Sequence, residues 1–100
     1  MAEDWWSSWV PMVAPYALML RLLIDGRVSG DEFETLFLSL YKADATDWSQ
    51  EIFNILDGLF ADVDDYCGDA SLRAVVGGLD EVQLRDRASL AFDNLKALAG

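Results

Sequence analysis

The chain has 100 residues, of which 18 are acidic, 7 are basic and none is histidine, giving a formal net charge of −11. At this length one domain is the limit, and a fold that buries only roughly 60 to 65% of its unfolded surface has little apolar material for a second lobe or a deep cleft. A hydrophobic content of 53% excludes disorder; the charge repels nucleic-acid phosphates and anionic membranes; and a lone Cys67 without histidine removes internal disulfides, Cys/His zinc sites and Ser-His or Cys-His pairs.

The first 13 residues carry Trp5, Trp6, Trp9 and Pro11. This tryptophan-rich segment is expected to pack over one end of the fold; an exposed apolar patch that recruits another chain is the alternative. Met1-Ala2-Glu3-Asp4 is acidic where a secretory signal is basic, and the longest apolar run, residues 16–24, is interrupted by Arg21 and too short for a bilayer. The expectation is a soluble cytoplasmic protein.

Helical patterns then follow one another. Pro15 suits a first turn, Leu18 and Leu22 continue the pattern, and Asp25-Gly26 stops it, so the first helix covers about residues 15–25. Ser29-Gly30-Asp31-Glu32 has the form of a capping box, and Phe33, Leu36, Phe37 and Leu40 follow at helical spacing over residues 30–43. Asp47-Trp48-Ser49-Gln50 offers the next cap. Ile52, Phe53, Leu56, Leu59, Phe60 and Val63 carry a long third helix over residues 48–66. Residues 67–79 contain Gly68, Gly77 and Gly78 and read as a loop, with room for one turn around Ser71 to Val75, before Asp80-Glu81-Val82-Gln83 caps a helix over residues 81–98. No segment alternates with the period of a half-buried strand, so the expected fold is all-α, an antiparallel four-helix bundle in a single domain.

The charge is unevenly placed. Residues 43–72 contain eight acids and no base, which leaves a net charge of only −3 on the rest of the chain. At about 100° per residue, Asp57 and Asp64 flank one edge of the third helix's apolar stripe and Glu51, Asp62 and Asp65 the other. A helix C-terminus already carries partial negative charge and favours Lys or Arg, by roughly 0.3 to 1 kcal/mol each. Stability alone does not select Asp62, Asp64, Asp65 and Asp69 there, whereas a basic partner would offset their repulsion. A merely solvated face is the alternative. Calcium binding fails, because Cys67 stands where the loop needs glycine and Arg73 where it needs the bidentate glutamate.

The stretch Leu23-Ile24-Asp25-Gly26-Arg27-Val28-Ser29-Gly30-Asp31-Glu32-Phe33, then Phe37, Leu40-Tyr41-Lys42-Ala43-Asp44 and Trp48, and above all Phe53-Asn54-Ile55-Leu56-Asp57-Gly58-Leu59-Phe60-Ala61-Asp62-Val63-Asp64-Asp65-Tyr66, resembles the colicin D type of bacterial immunity proteins. Relatives of that type also stand beside contact-dependent inhibition toxins. The likeness covers about residues 22–98. It implies an antidote rather than an enzyme, without a cofactor, that pairs one to one with the basic C-terminal nuclease domain of a cognate toxin. Toxins of this kind cut transfer RNA, and acidic side chains of the antidote occupy the phosphate-binding groove. On that reading Asp57, Asp62, Asp64, Asp65 and Asp69 meet basic toxin residues, with Tyr66 as an aromatic anchor and the free protein a monomer.

Two of these residues have structural alternatives. Asp57 could accept from a buried tryptophan N–H or pair with an arginine inside the bundle, and Tyr66 falls at the edge of the apolar stripe. A different class, the acyl carrier proteins, shares the size and acidity; its D-S-L triplet is approached only by Asp69-Ala70-Ser71-Leu72, with an extra alanine. A generic acidic interaction domain is the third possibility.

Overall fold

The computed structural model describes residues 13–99. Trp5, Trp6, Trp9 and Pro11 lie outside the described residues, and with them the expectation for the leading segment. The described residues form five helices: α1 (Ala14–Ile24), α2 (Gly30–Ala43), α3 (Gln50–Asp65), α4 (Ala70–Val76) and α5 (Glu81–Ala99). No described helix is long and apolar enough to cross a membrane. The all-α class stands. The count of four does not, because residues expected to loop form α4: the Asp69 carboxylate accepts from the N–H groups of Ser71 and Leu72, and Gly77, at φ +82°, ends the helix in a conformation that side chains disfavour.

The other boundaries follow from the same local chemistry. Ser29 and Glu32 form the capping box reciprocally, at 3.1 Å and 2.7 Å, and start α2. Asp80 and Gln83 do the same for α5, at 2.8 Å and 2.9 Å. In α3 the cap is Ser49, two residues later than the sequence pattern suggests, its hydroxyl accepting from the Ile52 N–H at 3.4 Å.

Helix α5 packs against α1, α3 and α2. Its stripe of Leu84, Ala88, Ala91, Phe92 and Leu95 is buried, and meets Tyr16, Ala17, Leu20 and Leu23 of α1 and Leu56, Leu59 and Val63 of α3 in one core. The buried face of α1 is not centred on Leu18 and Leu22, which remain 40% and 37% exposed. That helix is apolar on nearly every side, so its periodicity does not choose a face.

One end of the core is fixed by a carboxylate. Asp44, just past α2, accepts from the Tyr16 hydroxyl at 2.7 Å and from the Trp48 indole N–H at 3.1 Å. It thereby ties α1 to the chain leading into α3. Tyr16 also meets Phe37 and Trp48 edge to face, each at 6.1 Å between ring centroids. Burial pushes the Asp44 carboxyl up, but hydrogen bonds from Thr46, Tyr16 and Trp48 outweigh it and hold the group below its ordinary range.

Replacing Asp44 with alanine strands the Tyr16 hydroxyl in the core and is expected to lower unfolding free energy by about 2 kcal/mol in urea titrations. Because the folded carboxyl titrates below the unfolded one, this contribution is complete above roughly pH 4 and fades as pH falls further. The stability gap between wild type and Asp44→Ala should narrow on acidification.

Candidate functional site

The acids gather at the opposite end of α3, about 24 Å away for a helix of sixteen residues. There α3 stops without a basic residue in its last turn. Beyond it a short parallel bridge pairs Tyr66 with Leu79: the Cys67 N–H donates to the Leu79 carbonyl, and the Leu79 N–H to the Asp65 carbonyl, each at 2.9 Å. The second bond satisfies one of the helix's terminal carbonyls. Residues 67–78 are pinched off between the two bonded positions and carry α4. Gly78 lies at φ +110°, and a Cβ there would press on the Asp65 carbonyl.

The structure separates the predicted acids by helix face. Asp57 and Asp64 are exposed on the edge next to Phe60, which stacks on Tyr41 of α2 at 5.3 Å. Burial raises the Tyr41 hydroxyl pKa, and the Asp57 charge raises it further. Asp62 takes the other edge, where Arg87 of α5 donates to its carboxylate at 3.2 Å. Burial nevertheless raises the Asp62 pKa; Arg87 opposes the shift and Asp65 adds to it. The only described cation that pairs with the predicted acids is therefore Arg87. Asp57, Asp64 and Asp65 are exposed and have no ion-pair partner among the described residues.

Asp69 is exposed but is also the cap of α4. Tyr66 is half-buried against the core, and its hydroxyl donates to Asp31 of α2 at 2.9 Å. Burial, that hydrogen bond and the charges of Asp31, Glu81 and Glu34 all raise its pKa. Tyr66 is thus a junction between α3 and α2.

Sequence spacing missed these last carboxylates. Asp31 and Glu34 begin α2, and Glu81 begins α5, where its carboxylate accepts from the Gly30 N–H at 2.7 Å and pairs with Arg85 at 2.9 Å. The Gly30 hydrogen bond, against burial and with help from Arg85, holds Glu81 below its ordinary pKa. Acids at helix N-termini are favoured by the dipole, so nothing local distinguished them. Arg85 also donates to the Leu23 carbonyl at 3.0 Å, locking the start of α5 to the end of α1. The Trp48 indole N–H goes to Asp44, and among the described residues Asp57 pairs with no arginine.

The exposed aspartates make this end of α3 electronegative. Among the described residues no group of three His, Cys, Asp or Glu side chains is placed to hold a metal ion.

The sequence matches the family profile for bacterial self-protective colicin-like immunity over residues 12–95. The chain belongs to that family. Membership implies an immunity protein that binds a cognate toxin protein. No curated protein and no solved structure matches it.

The contact between Gly30 and Tyr66 gives a structural test of this end. A Cβ on Gly30 would lie 2.5 Å from the Tyr66 hydroxyl oxygen. Gly30→Ala should destabilise the fold by about 1 to 3 kcal/mol, measured by chemical denaturation. Amide exchange in residues 66–79 should quicken with it.

Proposed function

We propose that the protein is a colicin D-type immunity protein that neutralises a tRNA-cleaving ribonuclease domain of its cognate toxin, acting in the cytoplasm as a one-to-one inhibitor. The aspartates at the end of α3 stand in for RNA phosphates and occupy the basic groove of the nuclease. No bond is made or broken by the immunity protein. Long-range attraction guides the toxin onto the acidic end, and burial of the interface then excludes substrate.

The observation that carries this reading is that Asp64 and Asp65, in the last turn of α3 where the helix dipole prefers positive charge, and Asp57 two turns earlier are exposed and have no ion-pair partner among the described residues. Asp62 differs from them, since it must leave or share Arg87 to meet the toxin. Asp69 serves through its remaining acceptor capacity while capping α4. Tyr66 contributes by holding α2 and α3 in register, and its exposed portion widens the contact.

The test begins with capture of the partner from the producing cell at low salt, followed by a ribonuclease assay with the captured domain. Recovery of a basic nuclease domain silenced at equal molarity is the expected result. Recovery of acyl-transfer enzymes, with a phosphopantetheine mass added on Ser71, would overturn it. Close charge pairs at interfaces couple by about 1.5 to 7 kcal/mol, so Asp64→Lys should weaken binding by roughly tenfold or more. Asp93→Lys on α5 should change it little. Added salt should slow association more than it speeds dissociation.

A further inference from the structure

Helix α4 is the one helix of the described set with no buried residue. Leu72, Val75 and Val76, at positions i, i+3 and i+4, share one face and are 51%, 83% and 68% exposed. Seven residues are too few to hold a helix alone. What holds this one is polar: the Asp69 cap, the Arg73 guanidinium donating to the Cys67 carbonyl, and the bridge between Tyr66 and Leu79. Val75 and Val76, mostly open to solvent, add little to that attachment, and valine is a poorer helix former than alanine or lysine at such positions.

The surroundings say what fits the face. Asp64, Asp65 and Asp69 precede α4 and Asp80 follows it, and the hydrogen bond from Leu79 to Asp65 brings the two flanks together. A second copy would set these acids against their own kind across the contact. A nucleic acid would meet the same repulsion. A basic protein surface with an apolar depression matches both features, because stable interfaces combine an apolar centre with a polar rim.

We infer that Leu72, Val75 and Val76 of α4 form the apolar centre of the contact with a basic toxin domain, and that the aspartates around them form its charged rim. This rests on the toxin-binding reading above and adds a second kind of contact to it. The rim sets the rate of encounter, and α4 sets the lifetime of the complex.

The test uses the full chain and the toxin domain recovered by capture. A Val75→Ser/Val76→Ser double variant keeps every charge and alters only exposed positions, so the fold should be retained by circular dichroism. Its complex should dissociate about tenfold faster or more, with the association rate and its salt dependence unchanged. Leu98→Ser, at a residue 48% exposed near the far end of α5, is the matched control and should leave both rates unchanged.

An unchanged dissociation rate for the double variant, or an equal effect of Leu98→Ser, overturns the inference. If Asp64→Lys weakens binding while the double variant does not, the toxin-binding reading survives and this inference alone falls. If wild type binds no toxin domain, both fall. Two further results would overturn it by placing another occupant on the face. One is a dimer in sedimentation that the double variant abolishes. The other is faster amide exchange in α4 when Trp5, Trp6 and Trp9 are replaced together by alanine.

Discussion

Two backbone hydrogen bonds between residues 65–67 and Leu79 govern how the acidic end is built. They end α3 by taking the Asp65 carbonyl, and they fix where α5 begins. They also force residues 67–78 out of the bundle as a closed segment, which gives α4 a place without giving it a core contact. Tyr66, held at the crossing, reaches Asp31 and so brings the start of α2 to the same end. The acidic surface is therefore drawn from α2, α3, the Asp69 cap of α4 and α5 together, although most of its charge is contributed by one stretch of sequence.

The two ends of α3 do different work. At its start, Asp44 spends its carboxylate on Tyr16 and Trp48, and the negative charge is absorbed by the fold. At its finish, Asp64 and Asp65 are left to solvent against the helix dipole. An isolated carboxylate at a helix C-terminus costs only tenths of a kcal/mol to about 1 kcal/mol, which the core formed by α5 with α1 and α3 readily tolerates. Negative charge can thus accumulate at one end because stability is secured elsewhere.

Much of this was legible in the sequence. The capping signals at Ser29 and Asp80 are local, so the starts of α2 and α5 could be read directly, and the apolar spacing of Leu56, Leu59 and Val63 showed the inner face of α3. Helix α4 was harder, since Gly68, Gly77 and Gly78 outweigh a single turn's worth of apolar spacing; the signal that marks it is Asp69 as a cap with glycine just beyond Val76. The inner face of α1 was hidden because Leu18 and Leu22 are as apolar as Leu20 and Leu23. The partners of Asp62 and Tyr66 lie 25 and 35 residues away in sequence, and such pairings depend on packing that no local pattern encodes. The acceptor of the Trp48 indole is Asp44, only four residues before it, a pairing close enough in sequence to be local.

The attachment of residues 67–78 by main-chain bonds has a consequence for divergence. Amide and carbonyl groups are common to nearly every residue, so side chains between the two bonded positions can be exchanged while the bundle remains unaware of it, provided the glycines that shape the turn and the cap at its start are kept. Those dozen positions can therefore be rewritten without repacking a core. The fold separates the positions that keep the chain folded from those that are free to vary.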